Sequence, residues 1–376
     1  MLLLSGPNMG GNELKYVTEC ITTGWVSSVG SYVDDFEKMT AAYAGTKYAV
    51  ATSSGTTALH ICLILSGVDN NDMVIVPNIT FIATLNSIKY TGATPILIDT
   101  DASNWQMDLN LLEEFLVNET EQKDNVCFHI ASGKRIPIIM PVHVLGNICD
   151  MDKLMEIAAK HNLIIIEDST EALGSYYKGK HAGTFGLLGT FSYNGNKIIT
   201  TGGGGMIVTN DEALAKKAKH LTTQAKSDPF EYMHDAIGYN YRLVNVAAAM
   251  GVAQMEQLPS FIIRKKEIIE FYKKELKGVG DIKFQEVSSE VNANWWLPTI
   301  FTSKQKEVLK VLNDNKMQSR PFWVPMNQLP MFANDLFYNK SNQSDFVYKH
   351  CLSIPCSTNI TNEELQGVVD KIKSVF

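Results

Sequence analysis

Lys197 is the residue of this chain best placed for covalent chemistry. It lies between the apolar run Gly189–Tyr193 and the glycines at 202–205. A glycine run marks a place where the backbone must approach something closely. A lysine crowded there and partly desolvated can condense with an aldehyde cofactor; a solvent-facing lysine trailing a strand is the plainer alternative. A dinucleotide-binding loop fits poorly, because Gly202–Gly205 lead into a strand and do not open a helix.

Asp168 is the second candidate. It closes the run Leu163, Ile164, Ile165, Ile166, Glu167, and the C-terminal ends of buried parallel strands are where open α/β sheets bind ligands. A carboxylate buried there needs a partner such as a cationic ring nitrogen; simple capping of a following helix fits as well. The third candidate is the small-residue loop Thr52–Thr57, which opens an apolar helix. Such a loop can aim backbone N–H groups at an anion, or its hydroxyls can merely cap the helix.

These residues need a sheet to position them. Strands are predicted at Met73–Pro77, Pro95–Asp99, Ile136–Val142, Leu163–Glu167, Gly189–Tyr193 and Met206–Thr209, alternating with helices such as Asp150–Lys160 and Asp211–Leu221. Unbroken apolar strands imply burial on both faces, hence an α/β fold with a mostly parallel central sheet. Beyond about residue 255 the texture changes. Pro259 precedes a helical stretch from Phe261 to Lys277, followed by a strand-like Trp296–Thr302 and the proline-rich Arg320–Pro325. The predicted organisation is a large domain over 1–250 and a smaller C-terminal α+β domain over 251–376.

Composition narrows the partners. A chain of 376 residues exceeds one compact core, so two lobes are expected. The formal net charge of −7 argues against nucleic acid. No apolar stretch suggests a membrane span and the N-terminus does not read as a signal peptide, so no membrane insertion is expected. The six cysteines include no CxxC pair, which points to free thiols in a cytoplasmic protein and to no metal site.

Taken together, SSGTTAL, TFIATLNSI, PVHVLG, IIEDSTEALGS, FSYNGNKIITTGGGG and GYNYRL, in this order, resemble the DegT/DnrJ/EryC1/StrS family of fold-type-I sugar aminotransferases. The resemblance runs from about Gly11 to about Thr361. It implies a pyridoxal-phosphate-dependent transferase fold of type I, like that of aspartate aminotransferase. Lys197 would carry pyridoxal phosphate and Asp168 would pair with its pyridine nitrogen. Gly55, Thr56 and Ser192 would hold the phosphate, Phe81 would stack on the ring, and Asn194 would be a further cofactor contact. Asn240 would reach the cofactor of a neighbouring subunit, which implies a homodimer.

One position departs from the usual family pattern. Many relatives carry glutamine where this chain has Glu171, the group expected beside the ring's phenolic oxygen. A carboxylate there repels a phenolate unless a proton is shared. With Gly10–Glu13 and Gly24–Gly30, this looks most like the legionaminic/bacillosamine-type branch. That branch implies amination of UDP-linked 4-keto-6-deoxy-N-acetylglucosamine by L-glutamate in bacterial surface-glycan biosynthesis. Trp25, Ser28 and Arg320 are the candidate substrate contacts. A sugar dehydratase on the same fold carries histidine in place of the lysine, and a non-catalytic regulator has no need to keep Asp168, Ser192 and Lys197 together.

Overall fold

The apolar runs become the strands of one large sheet. In the computed structural model, which describes residues 1–228 and 230–376, these are β1 (Tyr48–Thr52), β2 (Asp72–Pro77), β3 (Thr94–Ile98), β4 (Arg135–Ile139), β5 (Ile164–Asp168), β6 (Leu188–Ser192), β7 (Gly205–Thr209) and β8 (Leu336–Tyr338). Their spatial order is β1-β7-β6-β5-β4-β2-β3-β8, and the hairpin Thr120–Lys123/Val126–His129 adjoins β4. Every pairing from β6 to β8 along this row is parallel, while β7 runs antiparallel to both neighbours. Each residue of β2 and β7 is buried, as helices on both faces require.

Local chemistry sets the helix starts. Asp150 and Asp211 accept the N–H groups of Lys153 and Leu214, each at 3.0 Å, and so cap the helices Met151–Lys160 and Glu212–Thr222. All six cysteines are buried and unpaired.

The helix predicted to begin after Pro259 begins much earlier. It spans Asn245–Glu275 with Pro259 inside it. Alanines 247, 248 and 249 favour helix strongly, and this part packs against the helices Glu13–Thr23 and Ser31–Ala44. That packing outweighs the roughly 3 kcal/mol cost of an interior proline. By length and composition alone this helix could cross a membrane, where the sequence suggested no such stretch, but half of its most apolar window is buried within the fold.

The chain is less cleanly divisible than its texture suggests. Position 250 falls inside the Asn245–Glu275 helix. β8, from the C-terminal part, extends the large sheet beside β3. The first residues join the C-terminal side: Leu2 bridges Met317, and the Leu4 carbonyl accepts the Cys356 N–H at 2.7 Å. There the antiparallel strands Lys283–Phe284, Thr299–Phe301, Cys351–Ser353 and Arg320–Pro321 form a second sheet.

Glu167, beside Asp168, has a structural task. Its oxygens accept the N–H groups of Gly183, Phe185 and Gly186 at 2.6–2.7 Å, and one oxygen lies 2.9 Å from His143 Nε2. Successive strand residues face opposite sides of the sheet. Glu167 therefore anchors the 183–186 loop while Asp168 faces the ligand side.

Candidate active site

A cavity of about 390 Å³ opens at the C-terminal ends of β5 and β6. One wall is the N-terminus of the helix Gly55–Leu65. Ser54 caps it by accepting the Thr57 N–H at 3.1 Å, and Thr57 returns the contact by accepting the Ser54 N–H. The amides of Gly55 and Thr56, in the first turn, have no intrahelical acceptor, and both residues line the cavity beside Ser192. β7 presses against this loop so closely that a Cβ on Gly205 would lie 2.3 Å from the Ser54 carbonyl oxygen.

Asp168, 3 % exposed, is held from two sides. Its Oδ2 accepts the Thr84 hydroxyl at 2.7 Å, and its Oδ1 accepts the Thr170 N–H at 3.2 Å. Thr84 Oγ1 in turn lies 2.8 Å from Thr80 Oγ1. Asp168 thus closes a turn and does not cap a helix.

Lys197 enters from the turn after β6, its side chain only 12 % exposed. Its Nζ stands 3.9 Å from the centroid of the Trp296 ring and 3.8 Å from Glu171 Oε1. Burial pushes the amine's pKa down, while Glu171 and Asp168 push it back up. The Trp296 indole is fixed by donating to the Asn196 carbonyl at 2.7 Å and by stacking on Trp323. A buried amine with a lowered pKa and unsatisfied helix amides thus face one space, and the fixed Asp168 carboxylate holds Thr170 in its wall.

The sequence profile of the DegT/DnrJ/EryC1/StrS aminotransferase family matches residues 7–373. The chain belongs to this family. It is 38% identical to GDP-perosamine synthase of Escherichia coli O157:H7, over 98% of this chain and 97% of that one. The putative pyridoxal phosphate-dependent aminotransferase EpsN of Bacillus subtilis is 35% identical over 100% and 96%. Among solved structures, PseC of Helicobacter pylori, an aminotransferase of pseudoaminic acid biosynthesis, superposes with a TM-score of 0.88 at 25% identity over 100% and 99% of the chains.

The DegT-family chain is accordingly a pyridoxal-phosphate-dependent sugar aminotransferase of fold type I. Its site residues fit that cofactor. The first-turn amides and the Ser192 hydroxyl suit a phosphate, the fixed Asp168 suits a ring nitrogen, and Lys197 suits an aldehyde. Phe81 lines the cavity and is 54 % exposed, so its ring is free to cover a flat ligand and is not spent on the core. Asn194 and Arg320 also line the cavity. Arg320 forms no ion pair among the described residues, and its guanidinium's one hydrogen bond there is to the Ser319 carbonyl.

Three candidates lie elsewhere. Trp25, Ser28 and Asn240 line no part of this cavity in the single chain. Residues 25–28 wrap the start of the long helix, where the Trp25 carbonyl accepts the Asn245 side-chain amide at 2.7 Å. Asn240 is exposed on a bridge to Thr223. Conversely, the sequence reading did not single out Thr84, Asn196, Trp296 or Trp323. Thr84 was detectable as a hydroxyl one helical turn after Thr80, but the two tryptophans are brought in only by the tertiary fold.

Proposed function

We propose that this enzyme moves the amino group of L-glutamate to the C4 keto carbon of a nucleotide-linked 6-deoxy sugar, in glycan biosynthesis. The observation that carries the reading is the placement of Lys197 in one cavity beside the free amides of Gly55 and Thr56, with the Asp168 carboxylate fixed on Thr170 in its wall.

Bound here, pyridoxal phosphate would supply a carbonyl that accepts the amino group and a ring that spreads the electrons of a broken C–H bond. Lys197 Nζ would hold that carbonyl and, as the base, would take the proton from the donor's α-carbon and give it back as the amino group is transferred. Asp168, pinned by Thr84, would hold a positive charge on the ring nitrogen. Gly55, Thr56 and Ser192 would grip the phosphate. Trp296 keeps water from the lysine, and Arg320 offers a two-pronged donor to a carboxylate or diphosphate.

The named relatives support a GDP sugar: three GDP-perosamine synthases are 34–38% identical over nearly the whole chain. Perosamine is a 4-amino-4,6-dideoxy sugar, which matches a C4 keto substrate. Glu171 and the 24–30 segment support the UDP-linked N-acetyl sugar as a second reading. A panel of GDP-, UDP- and dTDP-linked 4-keto-6-deoxy sugars, each with glutamate, decides between them. The GDP sugar is expected to exceed the others in kcat/KM by at least ~10². A preference for the UDP sugar would select the second reading, and turnover of none would overturn both. The location in this reading is the cytoplasm.

The reading includes a homodimer with shared sites. Trp25, Val29, Phe230, Tyr232 and Ile237 are all more than half exposed, an apolar surface suited to a second copy. Mixing Lys197→Ala with Asn240→Ala chains is expected to restore activity to about a quarter of wild type, since half of the dimers then hold one intact site. No rescue after subunit exchange, verified by mass, would confine Asn240 to its own chain.

A further inference from the structure

Glu171 occupies a more constrained position than an ordinary cofactor contact requires. Its Oε2 accepts the Leu145 N–H at 2.8 Å, and Leu145 sits in the left-handed region at φ 61°, ψ 15°. That conformation is strained for a non-glycine residue. Gly146 follows at φ 85°, where a Cβ would lie 1.8 Å from Asn294 Oδ1. Asn294 Nδ2 also donates to the Glu171 carbonyl at 2.8 Å. Held in this way, Glu171 turns its other oxygen, Oε1, toward Lys197 at 3.8 Å, the only ion pair Lys197 makes among the described residues.

Building on the aminotransferase reading, we propose that Glu171 and Lys197 hold one proton between them, making Glu171 the proton partner of the catalytic lysine. The proton leaves Nζ for Oε1 when the amine must be neutral and returns when the ammonium is needed. Transfer within the pair leaves the buried charge total unchanged, whereas loss to solvent would strand a lone carboxylate. The 3.8 Å separation is an ion-pair distance; the lysine's terminal torsions must close it by about 1 Å for direct transfer.

The surroundings favour such sharing. Burial lifts the Glu171 carboxyl to about 7, against the opposing pull of Lys197 and the Leu145 N–H, with Asp168 adding to the lift. Burial lowers the lysine. The other charged or titratable groups nearby are already engaged or peripheral. His143 faces Glu167, Lys265 donates to the Trp296 carbonyl behind the ring at 2.9 Å, and Arg320 lies on the cavity wall.

Glu171→Gln separates proton sharing from structure, because the amide oxygen can still accept the Leu145 N–H. The test uses the full chain stripped of cofactor, so it is independent of any sugar substrate. Acetic anhydride labelling of Lys197, measured against pH by peptide mass with exposed lysines as internal references, reports the neutral amine. A nearby carboxylate stabilises the ammonium, so Glu171→Gln should move the labelling midpoint to lower pH. About one unit, a tenfold gain in labelling below both midpoints, is expected. In the infrared, the band of a buried carboxylic acid should titrate at higher pH in Lys197→Met, which lacks the ammonium, than in the unsubstituted chain; this arm serves if Glu171→Gln misfolds. Unchanged midpoints in both arms would overturn the proposal and leave Glu171 as a brace for Leu145. Failure on every sugar with the shift intact would instead count against the functional reading alone.

Discussion

Lys197→Ala is expected to lose the visible absorption of covalently held cofactor and to lower turnover by ~10⁴-fold or more. The variant removes two roles at once, the amine that bonds the cofactor and the base that moves the proton. The side chain is almost enclosed, packed on Trp296 and opposite Glu171. No other lysine lines the cavity to replace it. The fold should survive, since truncation empties space beside an existing cavity and makes the chain no polar debtor except Glu171, which can protonate. Absorption spectra with and without L-glutamate, together with single-turnover rates, provide the measurement. A variant that still transaminates at a comparable rate would remove Lys197 from the mechanism.

Asp168→Asn should cut turnover by about 10²–10³ while leaving stability within about 1 kcal/mol of wild type. The amide is nearly isosteric, and its oxygen can keep the Thr84 hydroxyl that lies 2.7 Å from the carboxylate. What it loses is the negative charge that, in the proposed mechanism, keeps the ring nitrogen protonated. That charge matters more as electrons flow into the ring than in the resting state, so the loss should appear in kcat. Thermal unfolding separates a charge effect from a folding effect. Near-normal kcat would reduce Asp168 to the residue that closes the turn at Thr170.

The sequence made the sheet legible because its parallel strands are short, apolar and covered on both sides. Each predicted strand from Met73 to Thr209 is present within a few residues. The family motifs carried Lys197, Gly55, Thr56, Phe81, Asn194 and Ser192 to the cavity and Asp168 to the carboxylate that holds Thr170 in its wall, since each sits at a strand end or helix start set by local pattern. Pro259 misled because a proline is a strong local signal that tertiary packing can override. Trp296 and Trp323 were illegible for another reason. Their contacts with Lys197 and with each other arise where the C-terminal part folds back over the sheet, and no short-range periodicity encodes that. The backbone strain at Leu145 was equally hidden, since leucine carries no turn signal and only the Glu171 carboxylate across the sequence explains its N–H.

The edge strand β8 has a bearing on how the protein is made. β3 borders it in parallel register from Leu336↔Ile96 to Tyr338↔Ile98, so the two partners are separated by most of the chain. During synthesis β3 must wait, with one row of backbone donors and acceptors open, until residues 336–338 have left the ribosome. The same delay applies to Leu2, whose partner is Met317, and to Leu4, which lines the cavity. An open strand edge is the surface on which nascent chains pair with one another. The cavity, which Arg320 and Ser353 also line, is thus completed only after these late residues have been made.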